Sequence, residues 1–265
     1  MVILRTTREI LEAVKSGRIS VEEAEVELRT LSLTEVGEIG MLDMIREERT
    51  GIPEVVFAES KGMNSLIMIT KKILERKQYV LLTRVSQEKL VALRENLNGF
   101  AFDVSGEDDH LTVLISTNEW SAPESHGKIA IITAGTSDVV YAMEAIAIAR
   151  VMGVDVLSFF DIGVAGIHRL VEPIKRILAE NVDAVIVFAG LEGALPTVVA
   201  SLIDLPVIGV PVPVGYGHGG SGETALSSML QSCAPGLAVV NIGNGLGAGA
   251  MACLIARHAS RTTDR

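Results

Sequence analysis

KIAIITAGTSD, residues 128–138, begins as an apolar run of strand length, turns at Gly135 and ends in three residues suited to capping a helix. The same pattern recurs in DVLSFFDIG (155–163), DAVIVFAG (183–190), PVIGVPV (206–212) and LAVVNIG (237–243), each run followed by a stretch able to form a helix. Short strands that are apolar on both faces and alternate with helices belong in a parallel sheet covered on both sides. The expected class is therefore α/β, with a doubly wound parallel sheet in the C-terminal half. Composition agrees. The 265-residue chain is 48% hydrophobic but only 4% aromatic, so its core must be built from Ala, Val, Ile and Leu.

Upstream, the pattern differs. Residues 6–50 read as amphipathic surface helices: TTREILEAVKSG (6–17) stops at a glycine, and SVEEAEVELRTL (20–31) starts with a Ser cap and acidic residues. EVVFA (54–58), YVLLTRV (79–85) and HLTVLIS (110–116) then alternate with helical stretches near 62–76 and 86–97, as a small α/β layer would. STNEWSAPESHGK (116–128) has no periodicity and reads as a linker. The expected organisation is N-terminal helices plus a small α/β domain over 1–120, then a catalytic domain over 127–260.

The formal net charge of −10 argues against general affinity for nucleic acid or anionic membrane, leaving small molecules as the expected partners. No apolar run approaches the roughly 18 residues a membrane span needs. Two cysteines make no disulfide framework, and the N-terminus lacks the basic start, apolar run and cleavage site of a leader, so a cytoplasmic location is expected.

In a sheet of this kind ligands bind beyond the carboxyl ends of the strands. Gly135 allows a tight turn, and Thr136, Ser137 and Asp138 begin a helix whose free amides would form an anion site; the plain alternative is an ordinary capped helix. DIGVAGIHRLV (161–171) puts Asp161 at a strand end and His168 and Arg169 near a helix start, where they are binding groups or surface decoration. AGLEGALP (189–196) offers Gly190, where backbone approaches a ligand closely, and Glu192, a functional carboxylate or one paired with a helix dipole. PVPVGYGHGGSGE (211–223) holds five glycines in eight residues around Tyr216 and His218, suited to a binding loop or simply a flexible one. NIGNGLGAGA (241–250) imitates a dinucleotide fingerprint, but no second strand with an acidic ribose ligand follows, so its small residues serve close helix packing.

Cys253 falls on the buried face of the last helix and reads as a small core hydrophobe. Cys233 is placed differently, beside the Pro235-Gly236 break that ends ETALSSMLQSC (223–233). It is either structural or a thiol facing the crevice, where a cation or amide dipoles would make it reactive.

Taken in order, TAGTSD, DIGVAGIHRL, AGLEGALP, VGYG, SMLQSCAPG and VNIGNGLGAG closely resemble the LarB family, whose C-terminal domain is related to the purine-biosynthesis carboxylase PurE. LDMIREERTGIPEVVFAESK (42–61) and LLTRVSQEK (81–89) extend the resemblance over most of the chain. It implies a PurE-like sheet and the family's activity, pyridinium-3,5-biscarboxylic acid mononucleotide synthesis, the first step toward the nickel-pincer nucleotide. Nicotinic acid adenine dinucleotide would be carboxylated at pyridinium C5 by carbon dioxide or bicarbonate, with phosphoanhydride hydrolysis releasing AMP. By the same resemblance Cys233 is the nucleophile and Glu192 moves the C5 proton. Gly135 to Asp138, Asp161, His168, Arg169, Gly190 and Asn244 contact substrate, while Gly215, Tyr216 and Gly217 close the pocket. No organic cofactor is expected, Mg is left open with no ligands assigned, and a homo-octamer is implied. Two departures stand out: Gly243 and Leu246 where the family usually has Asp and Phe, and Val212-Pro213 where it usually has Thr-Ser. The alternatives are a PurE-type aminoimidazole ribonucleotide carboxylase or mutase, in which a histidine precedes Leu-Pro where this chain has Ala194, and a nucleotide-binding regulator without chemistry. Asp43, Arg46 and Arg49 either reach the substrate or make surface pairs.

Overall fold

A computed structural model describes residues 7–36, 40–43 and 46–263. The chain begins with helices α1 (Thr7–Lys15) and α2 (Val21–Ser32), the second started by a reciprocal cap: Ser20 Oγ accepts the Glu23 N–H at 3.0 Å, and Glu23 accepts the Ser20 N–H at 2.8 Å. An antiparallel pair, β1 (Leu33–Val36) and β2 (Gly40–Asp43), follows, then the short helix α3 (Arg46–Thr50). The pair corrects the all-helical expectation for 6–50, of which residues 6, 37–39 and 44–45 lie outside the described residues. Gly37 and Gly40 disfavour helix, and β-branched Thr34 and Val36 favour strand.

Strands β3 (Val55–Phe57) and β4 (Tyr79–Val85), β5 (Ala101–Ser105) and β6 (Leu111–Ser116) form a mixed sheet in the order β3-β4-β6-β5, with helices α4 (Met63–Leu74) and α5 (Gln87–Asn96) between them in sequence. β5, AFDVS, carries too few apolar residues to show as a run. One face of this sheet, with Val80, Leu82, Val113 and Ile115, packs on α4 and α5. The other face contributes Leu81 and Leu114 to the core of the C-terminal half. Burial on both faces explains why β4 and β6 read as continuous apolar runs. Residues 117–127 have no regular structure but are tacked down at Trp120, whose ring lies 5.4 Å from that of Tyr79 and 5.8 Å from the Arg150 guanidinium.

The C-terminal half is the expected all-parallel sheet. It comprises β7 (Lys128–Thr133), α6 (Val139–Val151), β8 (Asp155–Phe159), α7 (Val171–Ala179), β9 (Ala184–Ala189), α8 (Leu195–Ala200), β10 (Val207–Pro211), α9 (Glu223–Leu230), β11 (Leu237–Val239) and α10 (Gly245–Thr263). Strand order is β11-β10-β9-β7-β8, with neighbours in parallel register such as Ile129 beside Ala184 and Val207 beside Val185. Helices α6 and α10 cover one face and α7, α8 and α9 the other. The chain steps from β7 to β8 and then returns past β7 to β9, so the strand order reverses at the carboxyl ends of β7 and β9. Such a reversal opens a crevice between diverging loops. Among the described residues no helix is long and apolar enough to cross a membrane.

Candidate active site

A cavity of about 270 Å³ occupies that crevice, lined by residues from the loops after β7, β8, β9 and β10. From the first loop come Gly135, Ser137 and Asp138, where a 3₁₀ turn (Thr136–Asp138) runs directly into α6. Asp138 is only 3% exposed, and its Oδ2 accepts the Gly135 N–H at 2.8 Å. Burial pushes its carboxyl up to about 6, against the opposing pull of the Gly135 and Ala134 N–H groups.

The second loop supplies Gly163, Val164, Ala165 and Arg169. The Arg169 guanidinium donates to the Asp161 carbonyl at 2.7 Å and to Asp161 Oδ2 at 2.9 Å, so the pair sits at the cavity rim. Asp161 holds a left-handed backbone (φ 60°), which a short polar side chain tolerates. Gly190, Leu191, Glu192, Ala194 and Leu195 come from the third loop. A Cβ on Gly190 would meet the Val214 carbonyl oxygen at 2.3 Å, and the Leu191 N–H donates to that same oxygen at 3.0 Å. Only glycine permits this approach between the third and fourth loops. Leu191 itself is strained (φ 50°), a conformation bulky residues adopt only when surroundings impose it. The neighbouring Glu192 is exposed and lines the cavity.

Of the expected residues, Gly135, Ser137, Asp138, Arg169, Gly190 and Glu192 thus line one cavity. Thr136, Asp161 and His168 lie beside it on the same loops, Thr136 and His168 exposed. Gly215, Tyr216 and Gly217 follow β10 on the same edge without lining the cavity, Tyr216 being 84% exposed. Asn244 lines a different cavity, also about 270 Å³, with Arg46, Pro53, Leu246 and Met251; its Oδ1 caps α10 by accepting the Gly247 N–H at 2.8 Å. Arg46 pairs with Glu54 at 3.4 Å and Arg49 with Asp43.

Cys233 is exposed but does not line the first cavity. Its segment leaves the end of α9 and leads to Gly236, whose carbonyl accepts the Val207 N–H at the start of β10. Cys233 therefore lies on the stretch returning to the amino-terminal edge of its own sheet. Cys253 is fully buried, its thiol pushed up to about 12 by loss of water.

Sequence reasoning missed a second polar cluster beside the site. Glu144 of α6 is 2% exposed; its Oε1 lies 3.2 Å from Arg84 Nε and 3.3 Å from His110 Nε2, and its Oε2 accepts the Leu246 N–H at 3.1 Å. The only available signal was a single acidic residue inside the otherwise apolar VVYAMEAIAIA (139–149). Gly243 belongs to this cluster: a Cβ there would lie 3.3 Å from Arg84 Nη2 and from the Tyr141 ring. A guanidinium at that distance is a poor neighbour for a metal cation. Among the described residues no three His, Cys, Asp or Glu side chains are placed to hold a metal ion. Val212, at the other departure, is a fully buried core residue.

Fold and cavity together define a PurE-like α/β protein with a candidate ligand site in the loops at the strand reversal. Residues 128–265 match the AIR carboxylase family, and residues 33–107 match the LarB/PurE-like N-terminal domain. The uncharacterized protein MJ0165 of Methanocaldococcus jannaschii is 41% identical over 96% of this chain and 98% of its own length. An N5-carboxyaminoimidazole ribonucleotide mutase from the same organism is 38% identical, but over 43% of this chain and 68% of its own length. One from Saccharolobus solfataricus is 36% identical over 32% of this chain and 54% of its own. The chain belongs to the AIR carboxylase family in its LarB-type form, a PurE-like domain preceded by the LarB-type N-terminal domain.

Proposed function

We propose that this protein carboxylates nicotinic acid adenine dinucleotide at pyridinium C5 and hydrolyses its phosphoanhydride, giving pyridinium-3,5-biscarboxylic acid mononucleotide and AMP. The observation that carries the choice over a ribonucleotide mutase is Ala194. It stands in the cavity wall where PurE-type proteins have histidine, and among the described residues no histidine lines the cavity. Glu192 lines the same cavity, together with residues at the start of α6 and with Arg169, whose positive charge suits an anionic substrate.

In this reading the Cys233 thiolate adds to the electron-poor pyridinium, forming a C–S bond and leaving a neutral enamine. The enamine C5 attacks carbon dioxide and forms the new C–C bond. Glu192 removes the C5 proton, and the C–S electron pair returns to sulfur as aromaticity is restored. Water then cleaves the phosphoanhydride and AMP departs.

Cys233 is exposed and does not line its own chain's cavity, so in this reading the thiol is supplied by a second copy. Cavity size agrees, since about 270 Å³ is at or below the lower end of the roughly 300 to 1,000 Å³ common for small-molecule sites. A neighbouring protomer would complete the walls around a dinucleotide, which gives the octamer implied by family resemblance a chemical role. Cys233→Ser should bind the dinucleotide and form no product. Glu192→Gln should accumulate a substrate adduct on Cys233 visible by mass spectrometry. Undiminished turnover by Cys233→Ser refutes covalent catalysis, and adduct levels equal to wild type in Glu192→Gln remove the proton-transfer role.

A further inference from the structure

Arg84 of β4 bridges the two halves of the chain. It sits where β4 slips register against β6, between Leu82 and Val85, with a left-handed backbone (φ 53°). A bulge of this kind re-aims a side chain out of the regular ladder, and a non-glycine residue holds such a backbone only when its surroundings impose it. All three guanidinium nitrogens are used. Nε donates to Glu144 Oε1 at 3.2 Å, Nη2 to the Gly243 carbonyl at 2.7 Å, and Nη1 to Glu59 Oε2 at 3.4 Å. The group also lies 5.0 Å from the centre of the Phe57 ring.

What Arg84 grips is specific. Glu144 follows Asp138 by six residues, less than two helical turns, so displacement of α6 at Glu144 is transmitted to the turn that carries Gly135, Ser137 and Asp138. The second Glu144 oxygen holds the first turn of α10 through the Leu246 N–H. The starts of α6 and α10 are themselves in close contact, since a Cβ on Gly245 would fall 2.1 Å from the Tyr141 carbonyl oxygen. A buried ion pair is weak evidence for stability, because desolvating both charges offsets most of their attraction. Its convergence on two helix starts is instead the geometry of a part that sets position.

We propose that Arg84 is a positioning residue for the cavity: through Glu144 and the Gly243 carbonyl, the N-terminal half fixes the α6 start that lines the site. This gives the N-terminal half a share in the reaction without contact with substrate. Only the activity measurement below rests on the carboxylation reading.

The test compares Arg84→Met, Arg84→Lys, Glu144→Gln and the double variant Arg84→Met/Glu144→Gln with wild type. Turnover of nicotinic acid adenine dinucleotide should fall about 10- to 100-fold in Arg84→Met with KM changed less than about 3-fold, as expected when reacting groups are misplaced but binding survives. Arg84→Lys, which keeps the charge and loses the fork, should recover part of kcat. The double variant should be no worse than the worse single one, because the pair acts as a unit. Independently of activity, amide hydrogen exchange should rise in peptides covering 135–142 and 241–248 and stay unchanged in β9. Unchanged exchange in both peptides overturns the proposal. So does a kcat loss that only tracks the folded fraction and vanishes on cooling. If wild type does not turn the dinucleotide over, the carboxylation reading fails and hydrogen exchange still decides the coupling.

Discussion

Asp138 couples the cavity to pH. Its carboxyl is held near 6 against an ordinary 3.8 because burial penalises the charge. The fold therefore binds this proton more tightly than the unfolded chain does, and the stabilisation is fully present below about 3.8 and lost as pH rises through about 6. The shift corresponds to about 3 kcal/mol at most. Asp138→Asn should remove that part of the pH dependence, so its unfolding free energy gains on wild type between pH 3.5 and 7; parallel curves would remove the titration argument. The two thiols give a second residue-level prediction. Iodoacetamide should modify exposed Cys233 in the native protein and leave buried Cys253 untouched until unfolding, with peptide mapping as the readout. Dinucleotide should slow the Cys233 reaction if the thiol faces substrate in the assembled protein. The burial of Cys253 was legible from its neighbours, whereas the sequence left Cys233 open between a structural and a crevice-facing thiol. The crevice-facing alternative overlooked a rule of topology: a segment between a helix and the next strand returns to the amino-terminal edge of a parallel sheet, and Cys233 does not line the cavity.

Among the elements, α10 shows packing overruling helix propensity. Alanine exceeds glycine in a free helix by about 1 kcal/mol, yet a Cβ on Gly249 would meet Ile148 Cγ2 at 2.5 Å and the Ala145 Cα at 2.8 Å. Overpacking of this kind costs about 1 to 3 kcal/mol, so Gly249→Ala should lower Tm by several degrees, and a rise in Tm would show that the α6–α10 contact yields freely. The small residues of GLGAGA were legible as packing residues because the dinucleotide fingerprint they imitate lacked its second strand and acid. Strands with apolar residues on both faces were equally plain. β5 was not, because its five residues alternate around an exposed edge and carry no continuous run. The Arg84–Glu144 contact was hidden for another reason: it joins residues 60 apart in sequence, and neither partner's local pattern names the other.

As a whole molecule, the protein combines a cavity that carries Glu192 with a thiol that its own chain does not bring there. The account requires the two to meet between copies. Cys233→Ala and Glu192→Gln, each inactive alone, should regain part of the activity when unfolded together and refolded as mixed assemblies, because some interfaces then pair an intact thiol with an intact carboxylate. No recovery from mixed assemblies of demonstrated composition would place both groups in one chain's site. The family assignment and the sheet settle the architecture, while the substrate is the claim that most needs direct chemistry. That measurement is incubation of the wild-type protein with nicotinic acid adenine dinucleotide and isotopically labelled bicarbonate, followed by mass analysis of the products. The account predicts labelled pyridinium-3,5-biscarboxylic acid mononucleotide and an equal amount of AMP; an unlabelled, intact dinucleotide beside a protein that carboxylates or rearranges an aminoimidazole ribonucleotide would contradict it.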